Sequence, residues 1–135
     1  MEMSEYLFIY GTLSPEIAPK EIAAAVRKLR FVGNGFVRGR LYDLGKYPGI
    51  KLEAASRTKV RGRVYRLPEN RKAIESIDAF EEYYPNKPDA SLYKRRLAQV
   101  ELESGEKVRS WIYEYNGSAS PKTLIKSGVY SKALA

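Results

Sequence analysis

The stretch from Asn70 to Tyr84 constrains the fold most, because its residue pattern is that of a single amphipathic helix. At helical spacing Ile74, Ile77 and Glu81 share one side, since residues three or four positions apart lie on the same helix face. The spacing therefore predicts a helix over 70–84 whose apolar stripe ends in a carboxylate. The same spacing places the other acids of the stretch on the opposite, water-facing side: Glu75, Asp78 and Glu82.

A glutamate that faces the core is chemically unusual. A carboxylate withdrawn from water is costly unless it is hydrogen-bonded, paired with a cation or protonated, and burial raises its pKa toward neutrality. A group that titrates near neutral pH can both accept and release a proton. Glu81 is therefore a candidate acid–base residue. The alternative is structural: Glu81 extends into solvent or pairs with one of the 24 Lys and Arg residues.

The composition excludes several kinds of chemistry. The chain has 135 residues, a length typical of one domain, and we expect residues 1–135 to form a single domain. It contains no Cys and no His, which excludes disulfides, thiol nucleophiles, zinc fingers and Ser-His-Asp triads. We predict no metal and no cofactor. Catalysis is left to carboxylates, Lys, Tyr, hydroxyls and backbone dipoles.

The apolar residues give no sign of a membrane segment. No apolar run approaches the ~20 residues that a membrane-spanning helix needs. Glu2 and Glu5 stand where a signal peptide would carry basic residues. We therefore expect a cytoplasmic protein without a membrane partner.

The net charge of +8 is compatible with a nucleic-acid partner. The basic residues are spread along the sequence, however, and several alternate, as Arg38 with Arg40 and Arg61 with Arg63 do. Alternation is typical of the solvated face of a strand. Because the basic residues are scattered and no RNA-binding motif is present, a nucleic-acid partner is the less favoured interpretation.

Alternating apolar residues and turn signals predict about six strands and two helices, an α+β fold whose mostly antiparallel strands close as a barrel. The helix before Asn70 is predicted over Pro19–Arg30 and is ended by Gly33 and Gly35. The predicted strands are Tyr6–Tyr10, Phe36–Tyr42, Ile50–Ala55, Lys59–Leu67, Tyr93–Glu103 and Lys107–Asn116.

Gly11 ends the first predicted strand and leads into a loop with Thr12 and Leu13. Glycine reaches backbone conformations that are closed to other residues, so successive N–H groups can converge on one point. Such a concavity suits a carboxylate or a carbonyl oxygen. The alternative is an ordinary glycine at the end of a strand.

Short motifs occur in a characteristic order along nearly the whole chain. They are Tyr10-Gly11-Thr12-Leu13, Tyr47-Pro48-Gly49, Ile77-Asp78-x-x-Glu81, Tyr93-x-Arg95, Tyr113 and Ser127-Gly128. In this order they resemble the gamma-glutamylcyclotransferase-like family, which includes the AIG2-like plant proteins. The resemblance implies a small mixed, mostly antiparallel β-barrel flanked by helices, with a pocket at one end.

The resemblance also implies roles for individual residues. Glu81 matches the acid–base residue of the family, which is the residue that the helical period had set apart. The residues that match substrate-binding positions are Tyr10, Gly11, Thr12, Leu13, Tyr47 and Tyr113. In relatives of known activity the first four form a loop that holds the glutamyl end of the substrate with backbone amides. For Tyr113 the alternative is a tyrosine of the barrel core.

The reaction implied by the resemblance is a cyclisation. The α-amino group of a gamma-glutamyl amine, amino acid or peptide attacks its own γ-carbonyl and gives 5-oxoproline and a free amine. The nucleophile belongs to the substrate, so no Ser, Cys or metal is needed, and Glu81 can perform both proton transfers. The alternative is a non-catalytic relative that binds a small carboxylate or amide metabolite.

The chain departs from the family's pattern on either side of the pocket motifs. Many relatives carry glycine after the motif glutamate, where this chain has Glu82. An acidic residue usually follows Ser-Gly in the tail, where this chain has Val129. Neither change removes the acid–base group, but both are expected to alter the rim of the pocket and therefore the substrate.

Overall fold

The computed structural model describes residues 5–11 and 20–130. Within these residues lie six strands and two α-helices: β1 (Tyr6–Ile9), α1 (Lys20–Val26), β2 (Arg30–Asp43), β3 (Pro48–Leu52), β4 (Lys59–Arg66), α2 (Lys72–Phe80), β5 (Tyr93–Leu102) and β6 (Lys107–Tyr115). Short 3-10 turns lie at Pro88–Ala90, between α2 and β5, and at Pro121–Thr123, after β6. Neither helix of these ranges is long and apolar enough to cross a membrane.

The strands form a closed mixed barrel. β1, β4, β2, β3 and β6 follow one another around the ring, which closes where β6 pairs with β1. β6 runs parallel to β1 and to β3, while the other strand pairs are antiparallel. β5 is the additional strand, pairing along its length with β6 and briefly with β2. The prediction of a small, mostly antiparallel barrel flanked by helices is confirmed.

Each side of the barrel wall packs into its own apolar cluster. Phe8 and Ile112 belong to a cluster inside the barrel, whereas their chain neighbours Leu7 and Tyr113 belong to a second cluster outside it. The two-residue period of a strand produces this division. Ile77 of α2 is part of the outer cluster. The helix therefore packs on the outside of the wall.

The glycines that follow α1 lie within a strand and not at a helix end. α1 ends at Val26 and β2 begins at Arg30, so the predicted helix end at Gly33 and Gly35 is wrong. A Cβ on Gly35 would lie 2.6 Å from the carbonyl oxygen of Glu101 on β5. Glycine is required there by the close approach of two strands, which the pattern of one segment does not reveal.

Gly128 holds the chain that follows β6 against β4. Its φ of 72° lies in the left-handed region, and its carbonyl accepts a 2.9 Å hydrogen bond from the amide of Arg61. A Cβ on Gly128 would lie 1.9 Å from the carbonyl oxygen of Lys59. Glycine is therefore required both for the backbone conformation and for the available space.

We predict that Gly128→Ala lowers the free energy of unfolding by about 3 kcal/mol or more, because a left-handed penalty and a backbone clash act together. Gly105→Ala is the matched control. Gly105 also has a positive φ, of 93°, but nothing lies within 4 Å of an added Cβ. Gly105→Ala should lower the free energy of unfolding by only about 1–2 kcal/mol. Urea denaturation measures both values, and equal losses would contradict the packing argument.

Candidate active site

A cavity of about 350 Å³ opens where β1 and α2 end and where β3 and β5 begin. Its lining residues are Phe8, Ile9, Tyr10, Gly11, Lys46, Tyr47, Pro48, Phe80, Glu81, Glu82, Leu92, Tyr93 and Tyr113. Aromatic and aliphatic side chains dominate this wall, and a few polar groups lie among them. Such a wall withdraws the polar groups from water, which is the usual character of a small-molecule site.

The fold brings most of the predicted site residues to this cavity. Those that line it are Tyr10, Gly11, Tyr47, Glu81 and Tyr113. The first and last of them meet because β1 and β6 are neighbours in the barrel, with Leu7 opposite Trp111. Thr12 and Leu13 lie outside the described residues. The roles of all these residues remain predictions.

Glu81 follows the last residue of α2 and lines the cavity as a partly exposed side chain. Its amide donates a 2.9 Å hydrogen bond to the carbonyl of Ile77, so the helical pattern extends to it. Its carboxyl group has no hydrogen bond or ion pair with any residue of the described ranges. Burial raises the pKa of Glu81 from 4.5 to about 7. The group can therefore exchange a proton near neutral pH.

Asp78 is buried, which corrects the prediction that it faces water. Its Oδ1 accepts a 2.6 Å hydrogen bond from the Tyr113 hydroxyl and lies 2.9 Å from Nε of Arg95. The prediction was wrong because the helical period describes only α2, whereas these partners come from β5 and β6. Burial raises the pKa of Asp78, while the hydrogen bond from Tyr113 and the charge of Arg95 oppose this increase.

Arg95 is held between two aromatic rings. Its guanidinium carbon lies 4.4 Å from the ring centre of Trp111 and 5.7 Å from that of Tyr83. The Nε contact with Asp78 is an ion pair that is not aligned as a hydrogen bond, and the buried Nη1 finds no hydrogen-bond partner among the residues described. Cation–π attraction to the ring faces offsets part of this loss. Arg95 thereby attaches the end of α2 to the barrel.

The two acids at the end of α2 therefore lie in contrasting environments. Asp78 has a cation and a hydroxyl donor, and Glu81 has neither among the described residues. When the surroundings of two carboxyl groups differ in this way, the unpaired group is the candidate for proton transfer and the paired one for structure.

Tyr10 and Tyr93 use their hydroxyl protons on the backbone. The Tyr10 hydroxyl donates to the carbonyl of Tyr113 and accepts a 3.3 Å hydrogen bond from the amide of Ile50, so it joins β6 to β3. The Tyr93 hydroxyl donates to the carbonyl of Pro48 at 2.6 Å. Burial raises the pKa of both phenols, which keeps them neutral. Tyr10 therefore lines the cavity while its hydroxyl joins two strands of the barrel wall.

Glu82 lines the cavity in a backbone conformation that favours glycine. Its φ of 54° lies in the left-handed region, and its carbonyl accepts a 3.0 Å hydrogen bond from the amide of Leu92. The glycine expected at this position would avoid a cost of about 1–2 kcal/mol. Val129, the other departure from the family's pattern, is not among the residues that line the cavity. Of the two departures, only Glu82 changes the cavity wall.

Sequence reasoning assigned no role to several residues of this site. Tyr93 and Arg95 occur in one of the motifs and share a face of β5, and Asp78 occurs in another. A cation and a carboxylate in separate motifs were a signal that could have suggested their pairing. No sequence signal singled out Lys46. Within residues 5–11 and 20–130, no group of three or more acidic side chains could hold a metal ion.

Within the described residues, a closed mixed barrel with one additional strand and flanking helices defines the class of fold. A family model described as "Gamma-glutamyl cyclotransferase, AIG2-like" matches residues 7–132. The chain belongs to this family, and the resemblance drawn from its motifs is confirmed. The family match and the name of a relative point to an enzyme of the gamma-glutamylcyclotransferase type.

Individual relatives cover nearly the whole chain. The protein MJ1514 of Methanocaldococcus jannaschii, whose name assigns it provisionally to the gamma-glutamylcyclotransferases, is 27% identical over 126 residues, which are 93% of this chain and 95% of that protein. YkqA from Bacillus subtilis has a TM-score of 0.70 at 22% identity over 96% of this chain, which spans only 40% of YkqA. An AIG2-like protein from Mus musculus has a TM-score of 0.68 at 22% identity, covering 96% of this chain and 89% of that one. At these identities the solved structures support the fold alone.

We predict that Glu81→Gln stabilises the protein above neutral pH. Glu81 holds its proton more tightly when folded, because its pKa rises from 4.5 to about 7. Its contribution to stability is therefore complete below the lower value and lost as the pH rises through the higher one. At about pH 8 the variant should be more stable by about 3 kcal/mol, since one pKa unit corresponds to roughly 1.4 kcal/mol.

Thermal and urea unfolding at about pH 4 and pH 8 measure this difference, which should vanish at the lower pH. Glu75→Gln, at an exposed position of α2, is the control and should show little dependence on pH. Equal stability of Glu81→Gln and wild type at the higher pH would contradict the burial of an unpaired carboxyl group.

Proposed function

We propose that the chain converts a gamma-glutamyl amine, amino acid or peptide to 5-oxoproline and a free amine, with Glu81 as general acid and base. The observation that carries the proposal is an unpaired carboxyl group with a pKa of about 7 in the wall of a largely apolar cavity. Membership of the family supplies the class of reaction. A cavity near the lower end of the ~300–1,000 Å³ range of small-molecule sites suits a glutamyl group with part of its amine.

The reaction needs no protein nucleophile. The α-amino nitrogen of the substrate attacks the γ-carbonyl carbon, the new C–N bond closes a five-membered ring, and the bond to the amine breaks. Glu81 takes the proton that the ammonium group loses and gives a proton to the leaving nitrogen, so the carboxyl group ends in its starting state. Holding the amino group against the γ-carbonyl is the further contribution of the cavity.

Residues at the end of β1 would bind the polar end of the substrate. Gly11 lines the cavity, and its amide with those of Thr12 and Leu13 would hold either a carboxylate or the developing oxyanion. The rings that would contact the glutamyl chain are those of Tyr10, Tyr47 and Tyr113.

A non-catalytic protein that binds a small carboxylate or amide is the alternative, since a fold does not determine a function. Both proteins would bind a gamma-glutamyl compound, but only the enzyme would release 5-oxoproline. Incubation with gamma-glutamyl amines, amino acids and peptides, followed by detection of 5-oxoproline, therefore separates them.

We predict that the wild-type protein releases 5-oxoproline from at least one of these compounds and that Glu81→Gln lowers kcat/KM by about 10²–10⁴-fold. In the wild type, kcat/KM should fall about tenfold per pH unit below about 7, because the base must be ionised in the free enzyme. Glu75→Gln should retain both the rate and the pH profile. A fully active Glu81→Gln protein would refute the assignment.

A second candidate function comes from basic residues that the sheet brings together. Arg38 on β2 lies opposite Lys59 on β4, and Arg40 lies opposite Lys51 on β3. The ammonium group of Lys59 lies 4.4 Å from the ring centre of Phe36. A cationic face around an aromatic ring resembles the surfaces that bind single-stranded nucleic acid. This clustering favours nucleic-acid binding more than the scattered sequence positions did.

We predict that fluorescence anisotropy with labelled oligouridine detects this binding at low salt. About four phosphate contacts would weaken it about 50-fold between 50 and 200 mM salt, from a slope of roughly 0.7 per contact. Arg38→Glu with Lys59→Glu should abolish the binding. Lys72→Glu with Lys87→Glu, the same charge change at exposed positions elsewhere, should retain most of it. Equal losses of affinity in the two double variants would show that binding depends on net charge alone and would contradict a specific binding surface.

A further inference from the structure

Three of the tyrosine hydroxyls of the cavity use their protons on the protein and not on a ligand. Tyr10 donates to the carbonyl of Tyr113, and Tyr93 donates to the carbonyl of Pro48. A carbonyl can only accept, so the direction of these hydrogen bonds is fixed. The hydroxyl of Tyr113 donates to Oδ1 of Asp78.

These phenol groups can therefore interact with a ligand only as hydrogen-bond acceptors. A phenol has one proton and two lone pairs, and the oxygens of Tyr93 and Tyr113 accept no hydrogen bond from residues in the described ranges. Burial raises the pKa of both phenols, and the Glu81 carboxylate is near enough to raise it further. Both tyrosines line the cavity together with Glu81, and phenol oxygens that can only accept favour a ligand cation that donates hydrogen bonds, such as an ammonium group. They disfavour a carboxylate.

The direction of the Tyr113 hydrogen bond depends on the charge of Asp78. An ionised carboxylate can only accept, whereas a protonated one can donate to the phenol oxygen and release the phenol proton toward the cavity. Burial favours the protonated form of Asp78, and Arg95, 2.9 Å away, favours the ionised one. Arg95 is in turn held against the ring of Trp111.

We infer that Asp78 and Arg95 are positioning residues that keep the Tyr113 oxygen available as an acceptor for the α-ammonium group of a gamma-glutamyl ligand. The inference rests on the proposed function for the identity of that ligand. Asp78 and Arg95 act through Tyr113. The ammonium group is then received beside Glu81, where its proton is to be removed.

Two ligands that differ only in the α-amino group test the inference. L-glutamine carries the ammonium group, and glutaramate is the same chain without it. Calorimetric titration at about pH 8, where Glu81 with its pKa of about 7 is ionised, gives the ratio of the two dissociation constants. We expect the wild type to bind L-glutamine about tenfold or more tightly than glutaramate, because only the ammonium group of L-glutamine makes charge-assisted hydrogen bonds with the acceptors.

Substitutions at Tyr113 and Arg95 should change the preference for L-glutamine over glutaramate in a defined way. Tyr113→Phe removes the acceptor and should lower the preference by about fivefold or more. Arg95→Met removes the cation that favours the ionised, accepting form of Asp78 and should lower the preference similarly, whereas Arg95→Lys keeps the charge and should retain it. The preference of the double variant, Tyr113→Phe with Arg95→Met, should be no lower than that of Tyr113→Phe alone, because Arg95 acts through Tyr113. Tyr42→Phe, outside the cavity, is the control.

A purely structural role for Arg95 would give a different result. Additive losses in the double variant, an unchanged preference in Tyr113→Phe, or no preference in the wild type would each overturn the inference. Circular dichroism verifies the fold, and Arg95→Gln replaces Arg95→Met if the latter does not fold.

A failure of the proposed function is distinguishable from a failure of this inference. A wild type that releases no 5-oxoproline but prefers L-glutamine through Tyr113 would overturn the catalysis and keep the ammonium site. Turnover without this preference would keep the catalysis and overturn the role of Asp78 and Arg95.

Discussion

The ion pair between Asp78 and Arg95 is the interaction on which the geometry of the cavity depends. It joins the last turn of α2 to β5, and the hydroxyl of Tyr113 extends the connection to β6. Glu81 lies less than one turn beyond Asp78, so the same connection sets the position of its carboxyl group. A buried ion pair adds little net stability, because desolvation offsets the attraction between the charges. Its contribution here is to geometry: one carboxylate is held so that another can stay unpaired.

An unpaired acid in an apolar wall must be supported by packing elsewhere. The barrel provides that support on both faces of its wall, through one apolar cluster inside and another beneath the helices. Fully buried side chains such as Ile77 and Ile112 each contribute about 1.5–3 kcal/mol. These contributions exceed the cost of one poorly solvated carboxyl group, and the fold can therefore retain a site that lowers its own stability.

The sequence predicted the elements and the class of fold, but it missed individual contacts that depend on residues from two elements. The helical period was enough to set Glu81 apart, because its burial follows from the face of α2 on which it lies. The same period placed Asp78 in water, since the partner that buries it, Arg95, is on a strand 17 positions later. Gly35 was assigned to a helix end for a similar reason: the backbone of Glu101 that requires a glycine belongs to another strand. The motif order supplied the candidate site residues, which periodicity alone could not relate to one another.

The left-handed backbone of Glu82 has a thermal consequence. A glycine there would relieve the folded chain of strain, but it would also give the unfolded chain many more conformations to occupy. The first effect is largely enthalpic and the second is entropic, so the entropic effect grows in proportion to the absolute temperature. Heating therefore shifts the balance between the two residues toward glutamate, so the strained residue costs the protein least at the temperatures where unfolding threatens most.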